Sequence, residues 1–276
     1  MNNDFVIYPV DPTDAQNQDA GRALLDLLAG GGEAPARPTS YTSLADVPAD
    51  TTGLRIMRIR KPDLKRLDGL DRFPLKHLEL RWLSAPDLQI VPLPKTLISL
   101  KIWHSRSLRS CSGIEQAKKL RRLEWRQNSK LEDGFALAQL PDLRSLSIEG
   151  GPDGGQKLGK LDFLIDLSLD ELVLNGIDGK GVDLSPVAHM RQPKELLLNG
   201  RNFPKEEVAK VAAANKAYYD DLLRLDDIGG NCDSCAGPVK GLRLQGHKFC
   251  WCPTCEKDAL DRVFGKFDTL VSAVAT

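Results

Sequence analysis

The chain has 276 residues and a mass of 30.4 kDa, a length that accommodates about two domains of roughly 100–200 residues. With 41% hydrophobic and 28% charged residues it has the composition of an ordinary globular protein, and no run approaches the ~20 apolar residues that span a bilayer. Its 38 basic and 38 acidic residues cancel overall but not locally.

The start, Met1-Asn2-Asn3-Asp4, lacks the basic then apolar layout of a secretion signal, so the expected location is cytoplasmic. Residues 1–53 carry 2 basic and 8 acidic side chains. Ala20 to Leu28 has the makings of a short helix, but Gly30-Gly31-Gly32, Pro35 and Pro38 keep regular structure from continuing beyond it. Residues 1–42 are therefore expected to form an acidic flexible segment, and Ser43 to Gly53 a cap at the start of the next domain, 43–228.

From Leu54 to Leu198 one apolar pattern recurs seven times. Its copies are Leu54-x-x-Met57-x-Ile59, Leu75-x-x-Leu78-x-Leu80, Leu97-x-x-Leu100-x-Ile102, Leu120-x-x-Leu123-x-Trp125, Leu143-x-x-Leu146-x-Ile148, Leu169-x-x-Leu172-x-Leu174 and Pro193-x-x-Leu196-x-Leu198. Successive starts lie 21, 22, 23, 23, 26 and 24 residues apart. The last two apolar residues of each copy are two apart, so in a strand they point to one side. One copy cannot bury that side, whereas stacked copies bury one another's.

Period and pattern resemble the leucine-rich repeat family over about half the chain. The resemblance implies an α/β solenoid with short parallel strands on a concave face, where the family binds partners. The family's turn asparagine, three residues past each copy, is kept only at Asn128; the other copies have Pro62, Leu83, Ser105, Gly151, Ile177 and Arg201. Between strands, Leu64, Leu67 and Leu70 suit one or two helical turns, whereas Ser84 to Thr96 and Gly150 to Leu158 should be irregular. From Pro204 to Leu225 the apolar spacing turns helical and suits a C-terminal cap, with Gly229 and Gly230 marking the boundary to a third segment, 229–276.

Residues 54–126 carry 18 basic and 7 acidic side chains and residues 127–200 carry 7 and 12, a polarity that points to an acidic partner for the first repeats. The fifth residues of the copies are Arg58, Glu79, Lys101, Glu124, Ser147, Val173 and Leu197. The residues just past the copies are Arg60, Arg81, Trp103, Arg126, Glu149, Asn175 and Asn199. The candidate contact set is Arg58, Arg60, Arg81, Trp82, Trp103, Arg122 and Arg126, because tryptophan beside arginine is the composition of an interface hot spot. The competing reading is that Arg58, Glu79, Lys101 and Glu124 pair with one another across strands. Trp125, at a leucine position, belongs to the core.

Near the C-terminus Cys232-x-x-Cys235 and Cys252-x-x-Cys255 match the spacing of a four-thiolate Zn²⁺ site. Cys250 is an alternate ligand, and His247 a weaker one. Leu242 to Leu244 and His247 to Trp251 suit a hairpin, and Leu260, Val263, Phe264, Phe267, Leu270 and Val271 a following helix. Knuckle, hairpin, knuckle and helix resemble a treble-clef zinc finger. Four thiolates leave no position for an activated water, so one structural ion is expected, and a chelator should melt 231–276 while leaving the rest folded.

No phosphate-binding loop, nucleophile motif or open metal site is present, so catalysis is not expected. The expectation is an intracellular bacterial scaffold that binds an acidic protein on its concave face, with neither a membrane nor a small-molecule substrate. The alternative is nucleic-acid binding through the basic repeats or the finger.

Overall fold

The computed structural model describes residues 5–10, 40–128, 130–151, 155–199, 202–242, 244 and 250–275. The fold is mixed α/β, with a large, mostly parallel sheet, a small antiparallel sheet and no closed barrel. The chain divides into two compact units, Met1–Leu143 and Arg144–Thr276, a division that does not coincide with the 228/229 boundary expected from Gly229 and Gly230. No helix among the described residues is long and apolar enough to cross a membrane.

In the first unit, β1 (Val6–Pro9), β2 (Gly53–Met57), β3 (His77–Arg81), β4 (Ser99–Trp103) and β5 (Arg122–Arg126) lie in chain order. The last four are parallel, and β1 runs antiparallel on β2. The first strand lies inside the segment expected to be flexible: Val6-Ile7-Tyr8 has strand-forming side chains, and Phe5 and Ile7 are buried beneath it. The rest of the 1–42 segment, apart from residues 5–10 and 40–42, lies outside the described residues, including the candidate helix at Ala20 to Leu28.

The parallel registers align Leu54 with Leu78, Leu100 and Leu123, and Ile56 with Leu80, Ile102 and Trp125, all buried. They correct the first copy of the pattern. The strand residues are Leu54 and Ile56, so the copy runs Thr51-x-x-Leu54-x-Ile56 and starts 24 residues before Leu75 rather than 21. Ile59 is buried too, but past the strand end.

Between strands the chain returns through short 3-10 turns, Lys61–Leu67, Leu70–Arg72 and Ile114–Gln116, and through irregular backbone from Ser84 to Thr96. Leu67 and Leu70 bury their side chains there, as their spacing required, while Leu64 stays half-buried. The short strand β6 (Lys130–Leu131) and a 3-10 turn, Phe135–Gln139, close this unit.

In the second unit β7 (Ser145–Glu149), β9 (Glu171–Asn175) and β11 (Glu195–Leu198) are parallel neighbours, with Leu146, Leu172 and Leu196 in register. Gly150 to Leu158 is not wholly irregular: β8 (Gln156–Leu158) pairs with β10 (Ile177–Asp178). After the short α1 (Ser185–His189) and β11 come α2 (Lys205–Ala214) and α3 (Lys216–Leu223), in the stretch whose apolar spacing turns helical, burying Val208, Val211, Tyr218 and Leu222. The Tyr218 hydroxyl donates to the Leu198 carbonyl at 3.2 Å and ties α3 to the last strand.

The antiparallel sheet comes next: β12 (Asp226–Asn231), β13 (Pro238–Gly241) and β14 (Cys250–Trp251). Gly229 and Gly230 are part of β12, at a register shift where both adopt positive φ, rather than a linker. The ladder of β13 and β14 pairs Lys240 with Trp251 and Gly241 with Cys250. It therefore begins before the Leu242–Leu244 stretch expected to form it, and the expected turn at Gln245-Gly246 lies outside the described residues, as does His247. α4 (Lys257–Val274) ends the chain, packing Leu260, Val263 and Phe267 inward with α2 as its main partner.

Candidate functional site

On the solvent side of β2–β5, the side chains that alternate with the buried leucines form three rows. The middle row is Arg55, Glu79, Lys101 and Glu124. Arg55 Nε donates to Glu79 Oε2 at 2.6 Å, Arg81 donates to Glu79 Oε1, Lys101 Nζ lies 3.0 Å from Glu124 Oε1, and Arg126 Nε lies 3.4 Å from Glu124 Oε2. Each carboxylate is thus held between two cations. The cross-strand ladder is real, but its first member is Arg55, not Arg58. The one-copy slip at Leu54 displaced that position by three residues. The signal that reveals Arg55 is the Leu54/Ile56 pair, obscured because Thr51 is polar.

The next row is Met57, Arg81, Trp103 and Arg126. The Arg81 guanidinium lies 4.5 Å from the centroid of a Trp103 ring and that of Arg126 5.4 Å, so the half-buried indole sits between two cations from the flanking strands. Contact of this kind stabilises by ~0.5–2 kcal/mol. Trp103 Nε1 is buried and has no hydrogen-bond partner among the described residues. Arg122 is exposed at the opposite end of its strand, in a row with His77 and Ser99.

Arg58 and Arg60 fall outside these rows. Arg58 follows the end of β2 with φ 60°, and Arg60 is exposed with its Nε 3.2 Å from Asp63 Oδ2. Trp82, 40% exposed, occupies the same place after β3 as Arg58 after β2, and stacks on His104 with centroids 5.5 Å apart and planes 12° from parallel. Burial lowers the pKa of His104, and the neighbouring Arg81 and Arg106 lower it further; His77 is lowered by burial and by Lys76, Lys101 and Arg122. Burial is the larger cause in both, and the smaller share comes from cations close to each ring.

Beneath the turn at the strand ends, polar groups form a buried chain. Leu83 N–H donates to Ser105 Oγ, Ser105 N–H to Asn128 Oδ1 at 2.6 Å, and Asn128 Nδ2 to the Ile102 carbonyl. Asn128 thus bonds turn backbone as expected, and Ser105 substitutes for it one copy earlier.

In the second unit the Sγ atoms of Cys232, Cys235, Cys252 and Cys255 all lie within 4.8 Å of one another. The Cys232–Cys255 and Cys235–Cys252 separations are 3.9 and 3.5 Å. A tetrahedral ion with metal–sulfur bonds of ~2.3 Å separates its sulfurs by about 3.8 Å, so the four thiols fit a metal ion and are consistent with a zinc site. Each Cys-x-x-Cys pair folds the same way: the N–H four residues on, at Ala236 and Glu256, returns to the carbonyl of the first cysteine. Gly237 N–H then points at Cys235 Sγ (3.4 Å) and Cys255 N–H at Cys252 Sγ (3.3 Å), donors that favour thiolate. The Cys255 N–H foremost holds the Cys252 thiol down to about 7, while Cys255 is pushed up to about 12, foremost by its hydrogen bond with Cys235.

Cys250, the alternate ligand, is exposed on β14 and is not among the four clustered thiols. Two residues apart, the pair would share a face if the strand continued, but β14 ends at Trp251 and Cys252 already belongs to the knuckle turn closed by the Glu256 N–H. Cys111 is buried in the first unit, where burial pushes its thiol pKa up.

No protein-family model matches the chain, and no curated protein matches it significantly.

Proposed function

We propose that the chain is a non-catalytic binding scaffold of the leucine-rich repeat type, whose basic, tryptophan-bearing face engages an acidic protein. The observation that carries this reading is Trp103, held half-buried between Arg81 and Arg126 on the solvent side of β4. Arginines ordered on a ring have already lost much of the side-chain freedom that binding removes, which favours a hot spot. The excess of basic residues in 54–126 supports an acidic partner. The nucleic-acid alternative is less favoured: two arginines occupy the Trp103 ring and His104 one face of Trp82, which leaves little π surface for stacked bases.

The four cysteines are proposed to hold one structural Zn²⁺, with Cys232, Cys235, Cys252 and Cys255 as its ligands. Bound there, the ion would supply folding free energy and no reactive water, since all four positions are protein thiolates.

The test is affinity capture with and without nuclease, using wild type and an Arg81→Ala/Trp103→Ala variant whose folding is verified. One protein that survives nuclease, binds wild type and is lost with the variant is the expected result. Capture abolished by nuclease, or undiminished in the variant, overturns the reading.

A further inference from the structure

We propose that the recognition edge of this face is the row Arg58, Trp82, His104 and Gln127, and that it takes a carboxylate-rich peptide segment, an inference that rests on the acidic-partner reading above. These four residues occupy the same place, directly after β2, β3, β4 and β5, and have φ of 60°, 55°, 55° and 52°. That is the left-handed region, where a Cβ is penalised and glycine is not. A bulky residue there is uncommon, and four in succession in one row call for a cause.

The turn explains the angle. Past each strand end the backbone bends but keeps one more ladder bond: the N–H groups of Arg58, Trp82 and His104 donate to the carbonyls of Arg81, Trp103 and Arg126 at 2.9, 2.9 and 3.1 Å. The turn does not explain the residues. At the equivalent place after β9 the chain has Gly176 with φ 58°, which meets the same demand without strain. In the first unit, then, large polar and aromatic side chains stand where the backbone favours glycine.

Core packing does not explain them either. Trp82 is 40% exposed, and His104 and Gln127 are half-buried. What the bend does is line up side chains from adjacent strands at the sheet spacing of ~4.8 Å, which is what allows Trp82 and His104 to stack. Each ring gives one face to the stack and keeps its edge, and an indole edge carries an N–H donor. Arg60 and Arg106 are exposed and lie two residues past Arg58 and His104; Arg60 is engaged by Asp63, whereas the charge of Arg106 acts on His104. In the middle row, by contrast, Arg55 and Lys101 are already paired with Glu79 and Glu124. An edge of donors among cations fits carboxylate acceptors.

The experiment is fluorescence anisotropy with a labelled poly-glutamate peptide and, separately, a labelled oligodeoxythymidine. It uses the full chain as wild type, Trp82→Gly/His104→Gly and Arg81→Ala/Trp103→Ala, with the unfolding midpoint of each. Because glycine suits the turn, Trp82→Gly/His104→Gly is expected to keep or raise the midpoint while weakening peptide binding about tenfold or more. A lowered midpoint in that variant, whatever its binding, assigns the stacked pair to holding the turn and overturns the proposal. Peptide binding that is lost with Arg81→Ala/Trp103→Ala but kept with Trp82→Gly/His104→Gly overturns the edge and leaves the face reading intact. A wild type that binds only the oligonucleotide, or neither probe, overturns both.

Discussion

The Tyr219 hydroxyl donates to the Asp268 carboxylate while its ring stacks on Phe267, with centroids 6.3 Å apart. Through this contact and the apolar residues Leu260, Val263 and Phe267, α4 packs with the helices α2 and α3. The helix that follows the cysteines thus packs on the helices that precede them. The first cysteine pair comes one strand after α3, and the second immediately precedes α4.

That packing sets the outcome of metal removal. Chelation is expected to loosen the 226–275 segment and, because α4 covers α2, to speed hydrogen exchange in α2 and α3 as well. The amides of β2–β5 should remain protected. Trp251, 7% exposed, should shift its emission to the red. Exchange in α4 that is unchanged after verified metal loss would show that packing alone holds the helix.

Tyr219 gives a pH signature for the same contact. Its hydrogen bond to Asp268 foremost, then burial, raises its pKa to about 12 from 10.0. The folded state favours the neutral phenol. The bond's contribution is thus fully present below the unfolded value of 10.0 and is lost as pH rises through about 12. Tyr219→Phe should cost about 1 kcal/mol at neutral pH, modest because the site is partly solvated. Denaturation of wild type and variant should converge toward the alkaline limit, and ultraviolet titration should show one tyrosine that ionises late and disappears in the variant.

The buried chain under the turns predicts a larger effect. Asn128→Ala would leave Ser105 N–H and the Ile102 carbonyl without the partners they have at 2.6 and 3.2 Å. Two orphaned buried groups cost about 2–4 kcal/mol together, measurable as a lowered urea midpoint with unchanged m-value. A loss near zero would mean that water or Ser105 re-bonds the turn.

Trp125 is fully buried at a leucine position, as its place in the pattern demanded, whereas Leu54 was legible as apolar but not as to register. An L-x-x-L-x-L scan rewards any apolar residue three before another, and with Thr51 polar it selected Leu54 as a first position instead of a fourth. Six of the seven copies needed no such correction, because there the first position is itself apolar and fixes the phase. The strand β1 is not legible in the sequence because four residues carry little periodicity, nor is β12, because Gly229 and Gly230 have the composition of a boundary.

The sequence by itself determined the recurring strands, the apolar side of each, the charge polarity and the four-cysteine spacing, because each is a local periodicity or a fixed count of residues. Tertiary structure decided the rest. It set which cation faces which carboxylate, placing Arg55 rather than Arg58 on Glu79, and it brought Tyr219 to Asp268 across 49 residues. It also revealed that one row of the turns is left-handed. Register between parallel strands and backbone handedness depend on partners distant in the chain, and a one-dimensional pattern holds no distance between them.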